Sequence, residues 1–184
     1  VYEHNFKWIK GQVMAKRAAE IAAAGMHNIL LVGPPGTGKN AIAKAMKTIL
    51  PEMSQNEKIE ISKIQSIAGK LEGNLVGERP FRNPHHTTTV TAMTGGGINP
   101  KPGEMTMAHG GVLYMDEFTE FSRGVMEAMR QPLEDKKIVI SRKGGTYSFP
   151  ADFILLASMN PCKCGYYPDR NKCSCTERDV NTYL

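Results

Sequence analysis

The chain of 184 residues has no apolar run close to the roughly 20 residues that a membrane-spanning helix needs. It also shows no basic and then apolar leader of the secretory type. All four cysteines fall between residues 162 and 175, whereas the cysteines of a small disulfide scaffold are spread along the chain. These absences exclude membrane-spanning, fibrous and disulfide-scaffold proteins. We therefore expect a cytoplasmic protein without a membrane partner.

Neither sign of charge dominates. Lys and Arg number 23 against 18 for Asp and Glu, which gives a net charge of +5. This excess is compatible with an anionic partner, but it is smaller than the dense basic surface of a dedicated nucleic-acid-binding domain. The length and the 41% hydrophobic content indicate one globular domain. Because the first residue is Val1 rather than Met, we expect a piece of a longer protein.

The apolar pattern alternates between strand and helix. Predicted strands cover residues 29–32, 59–61, 112–115 and 153–157. Predicted helices cover residues 13–24, 39–50, 63–68 and 122–131. In the first helix, the face predicted to be buried holds Met14, Ala18, Ile21 and Ala22. Such alternation predicts an α/β fold with a parallel sheet.

Two segments do not fit this alternation. Residues 73–106 are rich in glycine, proline and threonine, which predicts an extended hairpin or loop insertion rather than a core element. Residues 137–149 hold two β-prone runs around Gly144-Gly145, which predicts a β-hairpin.

A glycine-rich segment between the first strand and the next helix predicts a phosphate-binding loop. The predicted nucleotide-binding residues there are Gly33, Pro34, Pro35, Gly36, Thr37, Gly38, Lys39, Asn40 and Ala41. Glycines let successive backbone N–H groups converge on phosphate oxygens, and the start of a helix adds its positive dipole end. Lys39 is predicted to reach the β- and γ-phosphates of ATP. The alternative is a glycine-rich turn that binds nothing.

Position 40 departs from the usual pattern of such loops. A Ser or Thr hydroxyl is expected there as a Mg²⁺ ligand, and this chain has Asn40. An amide oxygen can ligate Mg²⁺, but the longer side chain must meet a demanding octahedral geometry. We expect nucleotide binding to survive this change and hydrolysis to be less secure.

Polar groups follow two further strands. Asp116 and Glu117 end the strand 112–115, which we expect to lie beside the strand that precedes the phosphate loop. Asp116 would then hold Mg²⁺ and Glu117 would polarise the attacking water, unless the pair forms only an acidic turn. Asn160 follows the last strand, where it either orients water or initiates an Asn160-Pro161 turn.

Together these residues resemble the AAA+ ATPases, and more narrowly the magnesium-chelatase-related family. The matching landmarks are Ile9-Lys10-Gly11-Gln12, His27-Asn28-Ile29-Leu30-Leu31, the phosphate loop, Phe81-Arg82-Asn83-Pro84-His85-His86, Pro102-Gly103-Glu104, Ala108-His109-Gly110-Gly111, Leu113 to Glu117, Arg130-Gln131-Pro132-Leu133-Glu134, Ile140-Ser141-Arg142 and Met159-Asn160-Pro161-Cys162. The chain looks closest to a competence-associated bacterial branch, whose members are hexameric motors that act on DNA.

The resemblance implies a P-loop NTPase with a three-layer core, the whole chain (1–184) being its nucleotide-binding part. It implies that residues 73–106 hold an insertion into the second helix and that the hairpin 137–149 precedes the sensor strand. Asn160 is implied to be the first sensor, and Ile9, Gly11 and Gln12 are implied to lie near the adenine. The helical lid, the arginine finger and an N-terminal domain are expected outside this chain, so that this piece can be monomeric while its parent forms a homo-oligomeric ring.

The four cysteines form a cluster in sequence within the loop 161–175. The spacing Cys162-x-Cys164 and Cys173-x-Cys175 supplies the four thiolates of a closed tetrahedral zinc site, although C-x-C is less usual than C-x₂-C. Free reduced thiols and a redox pair are the alternatives.

Other residues have weaker signals. His85 and His86 are predicted to point to opposite faces of a strand, as polar hairpin residues. Trp8 and the methionines are expected in the core. The basic residues on the two predicted insertions either line a DNA-binding pore or form solvated surface; they are Arg79, Arg82, Lys101, Arg142 and Lys143.

Three functions remain open at this point. The first is an ATP-driven ring that acts on DNA. The second is the motor of a magnesium-chelatase-type complex, and the third is a nucleotide-binding switch with little hydrolysis, as Asn40 suggests.

Overall fold

The structure, a computed structural model, describes residues 5–97, 100–142 and 145–184. The strands in this part of the chain are β1 (Ile29–Val32), β2 (Phe81–Arg82), β3 (Gly95–Gly96), β4 (Lys101–Pro102), β5 (Val112–Met115), β6 (Lys137–Arg142), β7 (Gly145–Pro150) and β8 (Ile154–Met159). Its α-helices are α1 (Val13–Gly25), α2 (Lys39–Met46), α3 (Gln55–Ile67), α4 (Val90–Thr94), α5 (Glu104–Met107), α6 (Arg123–Ala128), α7 (Arg130–Asp135) and α8 (Glu177–Tyr183).

Four parallel strands form the central sheet in the order β1-β8-β5-β2. The parallel α/β architecture predicted from the sequence is therefore confirmed. The prediction that β5 lies beside β1 is wrong, because β8 pairs with β1 and lies between the two strands. Since all four strands are parallel, their carboxyl ends still meet at one edge of the sheet.

Strand β5 is the centre of the core, and its side chains alternate between the two faces of the sheet. Val112 and Tyr114 pack with helices α1 and α2 on one face. Leu113 and Met115 pack on the other face against α4 to α6 and the β6–β7 hairpin. All four residues are at most 1% exposed. A strand that is covered on both faces accounts for the continuous apolar run in the sequence.

Helix α1 buries a face that shares only Ala22 with the one predicted, and Ala18 is exposed. Its buried residues are Ala19, Ala22 and Ala23, while Met14 is 84% and Ile21 52% exposed. Ala22 and Ala23 of α1 pack in one cluster with Ala43 of α2, so the close approach of the two helices selects alanines over larger residues. Trp8, expected in the core, is 55% exposed and has Lys7 Nζ 5.5 Å from its ring centroid. The expectation for methionine is confirmed at most described positions, including Met46, Met93 and Met115.

Two further segments differ in the structure from what the sequence predicts. No strand forms at 59–61, because helix α3 runs through these residues from a capping box between Ser54 and Glu57. Between residues 73 and 106, where no core element was expected, Phe81 and Arg82 form the short strand β2 of the central sheet. The assignment of this segment as an insertion remains a prediction.

The predicted helix at 122–131 is two short helices, α6 and α7, joined at Met129. Ser122 caps α6 by accepting a hydrogen bond from the Val125 N–H at 3.4 Å. The antiparallel pairing of β6 and β7 confirms the predicted hairpin, and Lys143 and Gly144 lie outside the described residues. None of the described helices combines the length and the apolar character needed to cross a bilayer.

Candidate functional site

A cavity of about 450 Å³ opens at the carboxyl edge of the central sheet. It is lined by Pro35, Gly36, Thr37, Gly38, Lys39, Asn40, Ala41, Asp116, Glu117, Met159 and Asn160. The fold thus brings together the phosphate loop and the polar ends of two strands, as predicted. A groove of about 540 Å³ between α3 and β7 is mostly apolar in its lining and contains none of the predicted site residues.

Two glycines in left-handed conformations turn the loop between β1 and α2. Gly36 and Gly38 have φ angles of 76° and 84°, in the left-handed region that favours glycine. The Thr37 hydroxyl donates to the Pro34 carbonyl at 2.8 Å and ties the loop across its base. Gly38 precedes the first turn of α2 without a capping side chain, and the first residues of that helix line the cavity.

Lys39 connects the loop to the residue that follows β8. Its Nζ donates to the carbonyls of Gly33 at 2.6 Å and Pro34 at 2.9 Å, and to Asn160 Oδ1 at 3.2 Å. Partial burial lowers the pKa of Lys39, while nearby Asp116 opposes this shift. The amine therefore lies at the cavity with carbonyl partners that a phosphate can replace.

Asp116 lies in a hydrogen-bond network that the sequence analysis did not anticipate. The Ser158 hydroxyl on β8 donates to Asp116 Oδ1, and the Glu117 N–H donates to the same oxygen at 3.0 Å. Burial alone would raise the pKa of Asp116, but hydrogen bonds, led by that from Ser158, outweigh burial and hold the pKa below its ordinary value. The carboxylate is thus kept ionised at neutral pH.

Tyr114 links Asn40 to this network. Its hydroxyl donates to Asn40 Oδ1 and lies 3.0 Å from Ser158 Oγ. Burial raises the pKa of Tyr114, so the phenol remains a neutral donor. The sequence signal for this role was present but ambiguous, since a tyrosine within an apolar strand must find a partner for its buried hydroxyl.

We expect Tyr114→Phe to lower the free energy of unfolding by about 1 kcal/mol, the usual cost of one lost internal hydrogen bond. The ring and its packing are retained, so the change is confined to the hydroxyl. Urea denaturation of the variant measures the effect, with Tyr147→Phe on the exposed side of the hairpin as the matched control. Equal midpoints for wild type and Tyr114→Phe would contradict the proposed importance of this contact.

Glu117 projects from the end of β5 towards a histidine. Its backbone is left-handed, with φ 52° and ψ 50°, and its side chain is 60% exposed. His86 Nδ1 lies 3.2 Å from Glu117 Oε2. The predicted opposite orientation of His85 and His86 is wrong, because they lie in a loop and turn rather than a strand, and their ring centroids are 4.1 Å apart.

The residues predicted near the adenine lie at the start of the chain. Gln12 Nε2 donates to the Thr37 carbonyl at 3.0 Å, which joins this segment to the phosphate loop. Ile9 packs against the small core cluster that includes Leu31 and Ile42, and Gly11 is exposed. A contact of these residues with adenine remains a prediction.

Two of the basic residues predicted to be free for DNA or solvent are engaged within the fold. Arg79 is 8% exposed in its side chain, where it contacts Glu57 at 2.8 Å and donates to the Gly110 carbonyl at 2.7 Å. Arg82 makes two hydrogen bonds, of 2.6 and 2.8 Å, to the carboxylate of Glu104. The alternative of free, solvated charges is therefore wrong for these two arginines, since long-range partners hold them, while a role in a DNA-binding pore remains a prediction.

Of the other three basic residues of that prediction, one has a described side chain. Lys101 is exposed on β4. Arg142 ends β6, and Lys143 lies outside the described residues.

The four cysteines come together next to the cavity. Their sulfur atoms all lie within 4.8 Å of one another. Cys162 and Cys173 are buried, and Cys164 and Cys175 are partly exposed. A backbone hydrogen bond from Tyr166 and contact with Cys162 lower the pKa of Cys164 to about 6. The predicted cysteine cluster is thus present in the fold, and the four thiols are free of disulfides.

Comparison with known proteins agrees with this geometry. The model of the protein family described as "Magnesium chelatase, subunit ChlI" matches residues 5–184. The chain belongs to this family. The resemblance stated from the sequence is therefore confirmed, and with it the AAA+ P-loop NTPase fold.

Two curated relatives illustrate the place of the chain within the magnesium chelatase family. The chain is 49% identical to Competence protein ComM of Haemophilus influenzae over 160 residues, which covers 86% of this chain and 31% of the relative. It is 43% identical to Uncharacterized protein YifB of Escherichia coli over 183 residues, covering 99% of this chain and 36% of the relative. The chain thus spans about a third of the length of these relatives.

A solved structure shows the same fold at low sequence identity. It is described as the complex between subunits BchI and BchD of magnesium chelatase, and it matches with a TM-score of 0.68 and 23% identity. The match covers 96% of this chain and 63% of the other.

Proposed function

We propose that the chain is the ATP-binding and hydrolysing part of an AAA+ motor. The observation that supports this most strongly is the cavity at the carboxyl edge of the sheet, where Lys39, Asp116 and Asn160 converge on the phosphate loop. Open backbone N–H groups, a cation and a carboxylate in that arrangement suit a nucleoside triphosphate with its metal ion.

The donor set beside Lys39 fits Mg²⁺. Asn40 and Asp116 offer an amide oxygen and a carboxylate oxygen, the hard ligands that this ion prefers. The hydrogen bond from Tyr114 directs the Asn40 side chain towards the Asp116 network rather than into solvent. When bound, Mg²⁺ would neutralise charge on the β- and γ-phosphates.

Glu117, Asn160 and Lys39 would each have a separate role in ATP hydrolysis. Glu117 is the group placed to accept a proton from, or orient, the attacking water, and His86 restrains its carboxylate from one side. Asn160, already in contact with Lys39, would donate its amide to the γ-phosphate or to the water. Lys39 would exchange its carbonyl partners for phosphate oxygens as the nucleotide binds.

We further propose that the longer protein assembles as a homo-oligomeric ring and acts on DNA. The 49% identity to the relative named Competence protein ComM supports a role in competence, and this role motivates the proposal. The net charge of +5 and the exposed Lys101 on β4 are consistent with contacts to a phosphate backbone. An arginine from a neighbouring subunit would complete each site in such a ring.

We expect single-stranded or branched DNA to stimulate ATP turnover by the longer protein severalfold, with a stimulation that falls as salt rises because phosphate contacts release counterions. Steady-state turnover with and without DNA measures this, and sedimentation of the same samples with ATP reports ring formation. Lys101→Glu should weaken the stimulation, and Lys44→Glu on the exposed side of α2 is the matched control.

The same experiment separates the two other candidate functions. Stimulation only by a chelatase partner protein would support a chelatase-type motor, which the family description and the BchI neighbour favour. Binding of ATP with no turnover under any condition would support a nucleotide-binding switch, as Asn40 suggests.

A further inference from the structure

The cysteine cluster has the dimensions of a tetrahedral metal site. The sulfur of Cys162 lies 3.3 Å from that of Cys164 and 3.8 Å from that of Cys173, and the Cys164–Cys173 distance is 3.5 Å. Zinc–sulfur bonds of about 2.3 Å at tetrahedral angles separate the sulfurs by about 3.8 Å. A disulfide requires about 2.05 Å, so no pair is positioned as a formed bond.

The surroundings of the cluster also suit a closed structural site. Cys162 and Cys173 pack with Val180 of α8 and with Tyr167, which excludes water from one side. The Tyr167 N–H donates to Cys162 Sγ at 3.4 Å. Backbone donors to sulfur orient thiolates and offset their charge in metal sites.

The loop that carries these cysteines contacts the nucleotide cavity. A Cβ placed on Gly165 would lie 2.7 Å from Pro35 Cδ and 3.9 Å from Asn160 Cγ. Gly165 therefore packs directly on the first turn of the phosphate loop. Cys162 also follows Asn160 by only two residues, so the cysteine-bearing loop borders both the phosphate loop and Asn160.

We propose that the four cysteines bind one Zn²⁺ and that the zinc-held loop supports the phosphate loop through the contact between Gly165 and Pro35. The zinc is structural, with all four positions occupied by thiolates. The second half of this inference rests on the proposed nucleotide site, whereas the first half does not.

The metal is tested on protein purified without added metal. Elemental analysis should find one zinc per chain, and Cys175→Ala should lose it while Cys175→His should keep it, because histidine is also a zinc ligand. The partly exposed Cys175 is the position at which a variant is best tolerated by the fold. A metal-free protein with four alkylatable thiols, or one whose mass shows a disulfide, would overturn the zinc site.

The support of the phosphate loop is tested with Gly165→Ala, which retains every cysteine. We expect one zinc per chain and an ADP affinity about tenfold weaker, comparable to the loss of one hydrogen bond to phosphate. Gly73→Ala is the control, since Gly73 has a similar φ of 84° against 89° but no atom within 4 Å of the added Cβ. Unchanged ADP affinity in Gly165→Ala, with zinc bound, would overturn the coupling.

Removal of zinc from the wild type provides a second measurement if Gly165→Ala does not fold. Calorimetry should then show weaker ADP binding that returns when zinc is restored, and equal affinity with and without zinc would overturn the coupling. Absence of ADP binding by the zinc-loaded wild type would instead contradict the proposed nucleotide site, while the zinc content would still decide the metal site.

Discussion

Lys39→Ala is expected to weaken ATP binding more than about a hundredfold. The substitution removes the two charge-assisted hydrogen bonds from Lys39 to the β- and γ-phosphates, which are worth about 1.5 kcal/mol or more each. In the structure the Lys39 amine already lies between the carbonyls of Gly33 and Pro34 and the amide of Asn160. No other lysine or arginine lines the described part of this cavity, so no neighbour can replace the lost charge. Isothermal calorimetry with ATP measures the effect.

The control for this prediction is Lys44→Ala. Lys44 lies on the same helix, but it is exposed and does not line the cavity. The Lys44→Ala variant should therefore leave ATP affinity unchanged, although it removes the same charge as Lys39→Ala. Equal affinities for wild type and Lys39→Ala, with intact folding by circular dichroism, would show that the nucleotide binds elsewhere.

The parts of the site that could be predicted from the sequence are those determined by local chain geometry. Gly36 and Gly38 predict left-handed turns, and the apolar run before Gly33 predicts a buried strand that precedes them. Asp116 directly follows a second such strand. Parallel strands bring these ends to one edge whatever their order, so the cavity was predictable although the neighbour of β1 was not.

The errors concern contacts between residues that are distant in the chain. The pairing of Arg82 with Glu104 depends on how β2 enters the sheet, and a two-residue strand leaves almost no periodic signal. The network of Tyr114, Ser158 and Asn40 likewise depends on β8 lying beside β5. Helix α1 shows a related limit, since hydropathy favours Met14 and Ile21 for burial whereas close packing selects alanine.

Glu117→Gln is expected to lower the rate of ATP hydrolysis by about 10² to 10⁴, the usual contribution of a positioned general base, while leaving ATP affinity nearly unchanged. The glutamine keeps the size of the side chain but cannot accept the proton of the attacking water. Glu117 ends β5 at the cavity, and its carboxylate is 60% exposed, so the substitution does not disturb the core.

Glu120→Gln is the matched control, because Glu120 is an exposed carboxylate three residues further on that does not line the cavity. His86→Ala should give a smaller loss of rate, because it removes only the group that restrains the Glu117 carboxylate at 3.2 Å. Single-turnover hydrolysis with Mg²⁺ and ATP separates the chemical step from product release, and calorimetry on the same variants verifies binding. If Glu117→Gln hydrolyses ATP as fast as Glu120→Gln, another group activates the water, and the role proposed for the end of β5 is wrong.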